Sequence, residues 1–121
     1  MNNQDYKAWA ITKDRPTYDD VVQRLDKKEN AQLLHAVLGI SGEAGELTDA
    51  VKKSVMYGKE LDVKNVKEEA GDILWYMSLL LNAIGSSFDE VMQMNHDKLE
   101  KRYPGGFTEK LAQARLDKQG E

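Results

Sequence analysis

The stretch Leu34 to Lys53, LHAVLGISGEAGELTDAVKK, reads as one helix, yet it carries two glutamates three residues apart, Glu43 and Glu46. Projected at about 100° per residue, Glu43 falls inside the arc of Leu33, Ala36, Ile40, Leu47 and Ala50, the face that a helical bundle buries. Glu46 sits about 60° round, at the border, close in angle to His35, Gly39, Gly42 and Lys53. A carboxylate on a buried face is costly unless a cation or a hydrogen-bond network meets it. Any fold open to this chain must therefore bring a partner to Glu43.

A second stretch repeats the arrangement. In Glu68–Leu81, EEAGDILWYMSLLL, the apolar stripe runs through Val66, Ala70, Ile73, Met77, Leu80 and Ile84, widened by Leu74 and Leu81. Glu69 lies inside that arc and Asp72 at its edge. Side chains three apart on a helix are neighbours. Two such helices packed face to face would bring four carboxylates into one small volume, where they repel strongly without a counter-charge. A hard divalent cation such as Mg²⁺ meets that demand, because it takes oxygen ligands and keeps several waters.

Composition narrows the field around this feature. With 121 residues, one domain is the natural count, large enough for a core although its helices could also bury faces against a second copy. Seventeen Lys and Arg against 21 Asp and Glu leave a net charge of −4, which disfavours nonspecific binding to nucleic acid. The absence of cysteine excludes a disulfide framework and a thiolate metal site. No apolar run approaches ~18 residues, and MNNQDYKAW lacks the apolar region of a signal peptide. The expectation is a cytoplasmic protein with neither a membrane nor a nucleic acid as partner.

Taken in order, residues 3–12 read as a short helix, with Trp9 either an aromatic wall for a planar ligand or, the preferred reading, a packing anchor. Pro16 ends it by disfavouring α conformation at Arg15. A weak helix follows between Tyr18 and Lys28, and Asn30 is the expected N-cap of the long helix from about Ala31 to Tyr57. Gly39, Gly42 and Gly45 inside that helix each cost ~1 kcal/mol relative to Ala, which points to something approaching the backbone closely, either a neighbouring helix or a ligand. Gly58 fits a helix stop and Asp62 an N-cap for a helix to about Ala83. A fourth helix spans Phe88 to Arg102, with Asn95, Lys98 and Arg102 on one stripe. Tyr103-Pro104-Gly105-Gly106 ends it, and Thr108 to Lys118 is expected as a last short helix or a tail. The organisation expected is one domain over 1–121, with a core at about 31–107 and a tail at 108–121.

Three readings fit the paired carboxylates. The first is a hydrated Mg²⁺ site for phosphoryl chemistry. The second is a di-iron bundle, which wants a Glu-x-x-His on each of two helices. That spacing is missing, since the second pair is Glu69-x-x-Asp72 and neither His35 nor His96 falls in register. The third is a non-catalytic adaptor or oligomerisation module whose carboxylates pair with Lys and Arg.

GEAGEL followed by EEAGDILWYM resembles the Glu-x-x-Glu … Glu-x-x-Asp signature of the MazG-like all-α nucleoside triphosphate pyrophosphohydrolases. Twenty-two residues separate Glu46 from Glu69, within that group's range. NHDKLEKRYPGGF, Asn95 to Phe107, is similar to the group's Asn-x-x-Lys-Leu and Arg-Tyr-Pro close. The resemblance covers roughly Leu34 to Phe107, and the residues before Asn30 match nothing in it.

The resemblance implies an all-α bundle of four to five helices that hydrolyses nucleoside triphosphates between the α and β phosphates. It implies Mg²⁺ (with Mn²⁺ as a substitute) held by Glu43, Glu46, Glu69 and Asp72. Glu43 and Glu46 are the catalytic candidates, Glu46 being placed to orient the attacking water. Lys53, Asn95, Lys98 and Arg102 are expected along the triphosphate, assisted by Tyr103, with His35 and Trp75 as candidate base contacts. Homodimers or homotetramers complete the site in this group, and relatives that cleanse or reshape deoxynucleotide pools point to a deoxynucleotide substrate.

Overall fold

The structure, a computed structural model, describes residues 1–118, the side chain of Leu116 aside. These residues form six α-helices: α1 (Asn3–Thr12), α2 (Asp19–Leu25), α3 (Lys28–Tyr57), α4 (Val63–Ala83), α5 (Phe88–Arg102) and α6 (Glu109–Ala114). A 3-10 turn, Leu116–Lys118, ends the described chain. No strand occurs among the described residues, so the all-α class expected from the sequence is the one adopted. Residues 119–121 of the expected tail lie outside the described residues.

Short polar residues set most of the boundaries. The Asp62 side chain accepts from the Asn65 N–H at 3.0 Å and starts α4. Ser87 accepts from the Glu90 N–H at 3.2 Å and starts α5. Each satisfies a backbone donor that the first helical turn leaves unpaired. Gly58 closes α3 in the left-handed region at φ 69°, where a residue without Cβ is at no disadvantage. Only 58–62 then join α3 to α4, which obliges the two helices to run antiparallel as a hairpin.

One boundary differs from expectation. The cap of α3 is Lys27, not Asn30. Asn30 lies inside the first turn, and its Nδ2 donates to the Arg24 carbonyl at 2.9 Å. It ties the end of α2 to the start of α3 instead of capping its own helix. Trp9, expected as a packing anchor, is 47% exposed in the single chain and rests against Tyr6 at 5.5 Å between ring centroids.

The α3–α4 hairpin is the most extensive packing in the chain. Its core is Ala36, fully buried, and Leu81. Gly39 lies beneath the Tyr76 ring, and a Cβ there would stand 2.2 Å from it. Glycine thus lets an aromatic ring rest directly on the α3 backbone. At Gly42 a Cβ would meet nothing within 4 Å. The close approach expected along this glycine series is realised at Gly39, by a neighbouring helix.

Much of each apolar arc stays uncovered. Leu34, Val37, Leu38, Val51, Val55 and Met56 on α3 are exposed, as are Leu74, Trp75 and Ile84 on α4. Each long helix carries a stripe wider than one partner helix covers. The remaining helices lie elsewhere: α2 packs on α3, and α5 chiefly meets α6 and the 3-10 turn.

Candidate functional site

Antiparallel packing sets Glu43 of α3 opposite Glu69 and Asp72 of α4. One carboxylate oxygen from each of these three lies within 4.8 Å of the others. Glu69 is buried and Glu43 half-buried, while Asp72 and Glu46 are exposed. The gradient follows the helical projection, since the two residues inside the apolar arcs are covered and the two at their edges are open.

The electrostatics of this cluster are those of crowded like charges. Glu69 has its pKa pushed up to about 7, first by sharing a hydrogen bond with Glu43, then by burial, by a further hydrogen bond with Glu46, and by the charges of both. Two deprotonated carboxylates have no proton to share, so the bond to Glu43 exists only while one of them stays protonated. With every group ionised, Glu43 Oε2 and Glu69 Oε2 are buried oxygens without a partner. Buried polar atoms are ordinarily satisfied. The donor set of three or four carboxylates, two with orphaned oxygens, suits a hard divalent cation. No histidine belongs to it, which disfavours the di-iron arrangement.

The cationic side chains expected at the site divide into two groups. Lys53 turns back one helical turn to Asp49, at 2.8 Å. That contact raises the lysine's pKa and lowers that of Asp49. Asn95 and Lys98 line an open cavity of about 530 Å³ with Val91, Met94, Asp97 and Lys101 of α5 and Asp117 and Lys118 of the C-terminal turn. Arg102, the third member of the α5 stripe, donates from Nε and Nη2 to one oxygen of Asp117, both at 2.8 Å. The pair is well covered, at 17% exposure for Arg102 and 8% for Asp117. Each partner shifts the other toward its charged form, and Tyr103 adds to the shift of Arg102. Tyr103 itself rests against Phe107 at 5.2 Å.

The aromatic candidates gather about one to two turns from the carboxylates, on the side of the hairpin away from its 58–62 connection. His35 meets the edge of Tyr76 at 5.7 Å, and Trp75 meets the same ring at 4.8 Å. His35 also lines a small pocket of about 200 Å³ with Gln32, Leu79, Asn82 and Ala83. The fold therefore joins Glu43, Glu69 and Asp72 directly, keeps Glu46 beside them, and gives α5 a cavity of its own.

Two residues that the sequence reading did not single out matter to this layout. Tyr76 follows Asp72 by four positions, so it shares that flank of α4, and its pairing with Gly39 was the available signal. Asp117 carried no signal, since only the fold brings the C-terminal turn back to Arg102.

A helical hairpin with inward carboxylates on both arms defines a class of acidic, cation-seeking helical site. Residues 30–107 match the MazG nucleotide pyrophosphohydrolase domain, and the chain belongs to that family. It is also similar to the Gene 37 protein of Mycobacterium phage L5, 32% identical over 83 residues that cover 64% of this chain and 71% of the phage protein. No solved structure matches the chain. Among the described residues, no helix is long and apolar enough to cross a membrane.

Proposed function

We propose that this chain hydrolyses a nucleoside triphosphate, with a deoxynucleotide preferred, at the bond between the α and β phosphates. Water attacks the α phosphorus, the bond to the bridging oxygen breaks, and pyrophosphate leaves with the electron pair. The nucleoside monophosphate is the other product. The observation that carries this reading is the pair of buried, unpartnered carboxylate oxygens on Glu43 and Glu69, in a chain of the pyrophosphohydrolase family.

Glu43, Glu46, Glu69 and Asp72 would hold Mg²⁺, with Mn²⁺ as a substitute. The ion supplies charge neutralisation of the phosphates and a lowered pKa for bound water. Glu46, exposed at the rim of the cluster, would orient the attacking water and take its proton. Lys98 and Asn95 would receive the outer phosphates, with Arg102 and Tyr103 at the far end of that stripe. A triphosphate carries more charge than one divalent cation neutralises, so cationic side chains are required in an acidic protein. His35 and Trp75 remain the candidate base contacts.

The assembly belongs to the same reading. The uncovered apolar faces of α3 and α4 support a homodimer or homotetramer. Light scattering at micromolar concentration tests it, a monomer being the adverse result. The decisive experiment for function measures pyrophosphate release from a panel of ribo- and deoxynucleoside triphosphates, with Mg²⁺, with Mn²⁺ and with chelator. Release that depends on the metal and favours one deoxynucleotide is expected. If none of the triphosphates yields pyrophosphate, the enzyme reading fails and a non-catalytic helical module takes its place.

A further inference from the structure

The cavity beside α5 carries Lys98 and Lys101 on its α5 wall and Asp117 on the facing turn, and Arg102, next to Lys101 on α5, is already paired with that aspartate. Asp117 reaches in from the C-terminal turn and takes both Nε and Nη2 of the guanidinium. That edge of an arginine is one of those with which it grips a phosphate through two parallel hydrogen bonds. At 17% exposure, Arg102 offers little surface to an incoming anion while Asp117 remains in place.

We propose that Asp117 is an internal competitor for the phosphate seat on Arg102, a carboxylate latch that must leave before the outer phosphates of a substrate reach that guanidinium. The inference rests on the phosphate-binding reading of α5 given above and adds a means of regulation to it. Three features support the latch over a carboxylate that merely positions the arginine. First, the Nε–Nη2 edge, one with which the guanidinium would grip a phosphate, is spent on Asp117. Asp117 also lines the same cavity as Asn95, Lys98 and Lys101, so it stands within the space that a phosphate would use. Finally, it sits on a three-residue turn behind a six-residue helix, a short structure that moves at lower cost than the long hairpin.

The exchange is chemically balanced without any covalent step. A phosphate oxygen replaces Asp117 Oδ1 on Nε and Nη2, and the released carboxylate passes into water. A terminal phosphate bears more charge than one carboxylate, which drives the exchange forward. An uncompensated buried charge is costly, so neither Arg102 nor Asp117 is left bare at any stage.

The test titrates the full chain with inorganic tripolyphosphate in the presence of Mg²⁺ at low salt, following heat release. Wild type is compared with Asp117→Asn, Asp117→Ala, Arg102→Gln and the double variant Arg102→Gln/Asp117→Asn. Both Asp117 variants should bind roughly fivefold tighter or more, about 1 kcal/mol, and the gain should vanish in the Arg102→Gln background. Either Asp117 variant alone suffices if the other folds poorly by circular dichroism. Unchanged or weaker binding in the Asp117 variants overturns the latch, as does an absence of tripolyphosphate binding in every variant. The readout is independent of turnover. A wild type that binds tripolyphosphate in this pattern but releases no pyrophosphate would sink the proposed activity and leave the latch standing.

Discussion

The α3–α4 hairpin and the α5–C-terminal region handle buried charge in opposite ways. In the hairpin, Glu43 and Glu69 are covered and two of their oxygens have no partner. In the C-terminal region, Arg102 and Asp117 are covered and satisfy one another at 2.8 Å. One region leaves carboxylate oxygens open to a proton or an external cation, and the other already holds its internal anion. A ligand that meets the first would add stability, and one that enters the second would have to displace an existing contact. A site of the first kind shows its ligand mainly as added stability, and one of the second kind shows it as competition.

The strongest way to break this comparison is to remove the charge conflict in the hairpin. Glu43→Gln and Asp72→Asn should each lower pyrophosphate release on the order of 10²- to 10³-fold, the scale of losing one preorganised charge at a reaction centre. The same substitutions should raise the melting temperature measured without metal, because fewer like charges remain. Full activity in both variants would show that the cluster is not the reaction centre.

Ligand-linked stability comes next. Mg²⁺ together with a nonhydrolysable nucleotide should raise the melting temperature more than either alone, with about 2.7 kcal/mol expected at a hundredfold excess over Kd. The pH dependence has a definite sign. Glu69 is held near 7 in the folded protein, above its ordinary value of 4.5. Between those pH values the folded state binds more protons than the unfolded one, so metal-free stability falls as pH rises through that window. Mg²⁺ should flatten the fall by replacing the proton. A metal-free melting curve that rises between pH 5 and 7 would contradict the clustering of Glu43, Glu46 and Glu69.

In the C-terminal region the effects are smaller. Lys98→Ala should weaken substrate use roughly tenfold, the loss of one charge-assisted hydrogen bond. Lys52→Ala should change it little, since Lys52 lies over the Tyr57 ring at 5.7 Å on the other side of α3. Equal losses would remove α5 from the substrate path.

Two glycines sharpen the hairpin side by stability alone. Gly39→Ala should destabilise by about 1–3 kcal/mol, because the new methyl overlaps the Tyr76 ring. Gly42→Ala should stabilise by up to ~1 kcal/mol through helix propensity, there being no atom within 4 Å to obstruct it. Urea denaturation resolves both, and a shared sign would refute the distinction.

The sequence exposes the hairpin more fully than the C-terminal region, for a physical reason. Helix limits at Gly58, Asp62 and Ser87 are set by local chemistry, a left-handed turn or a side chain reaching a nearby N–H, and such chemistry is written in neighbouring residues. The inward direction of Glu43 and Glu69 follows from helical periodicity for the same reason. Asn30 misleads because its side chain finds the Arg24 carbonyl, an option that a capping preference does not register. The Arg102–Asp117 contact joins residues fifteen positions apart, and no local pattern encodes it. Trp9 shows the same limit, since an aromatic residue on a helix does not announce which surface it will meet.

The five-residue connection between α3 and α4 also has a kinetic consequence. Closing a short loop costs little entropy, and chains dominated by near-neighbour contacts fold early and fast. The hairpin is therefore expected to form early in folding, and it carries the acidic cluster at its seam. Nucleation must therefore proceed against charge repulsion when no cation is present. Refolding followed by stopped-flow fluorescence should quicken when Mg²⁺ is added, which would make the ion a participant in the chain's earliest assembly as well as in its finished site.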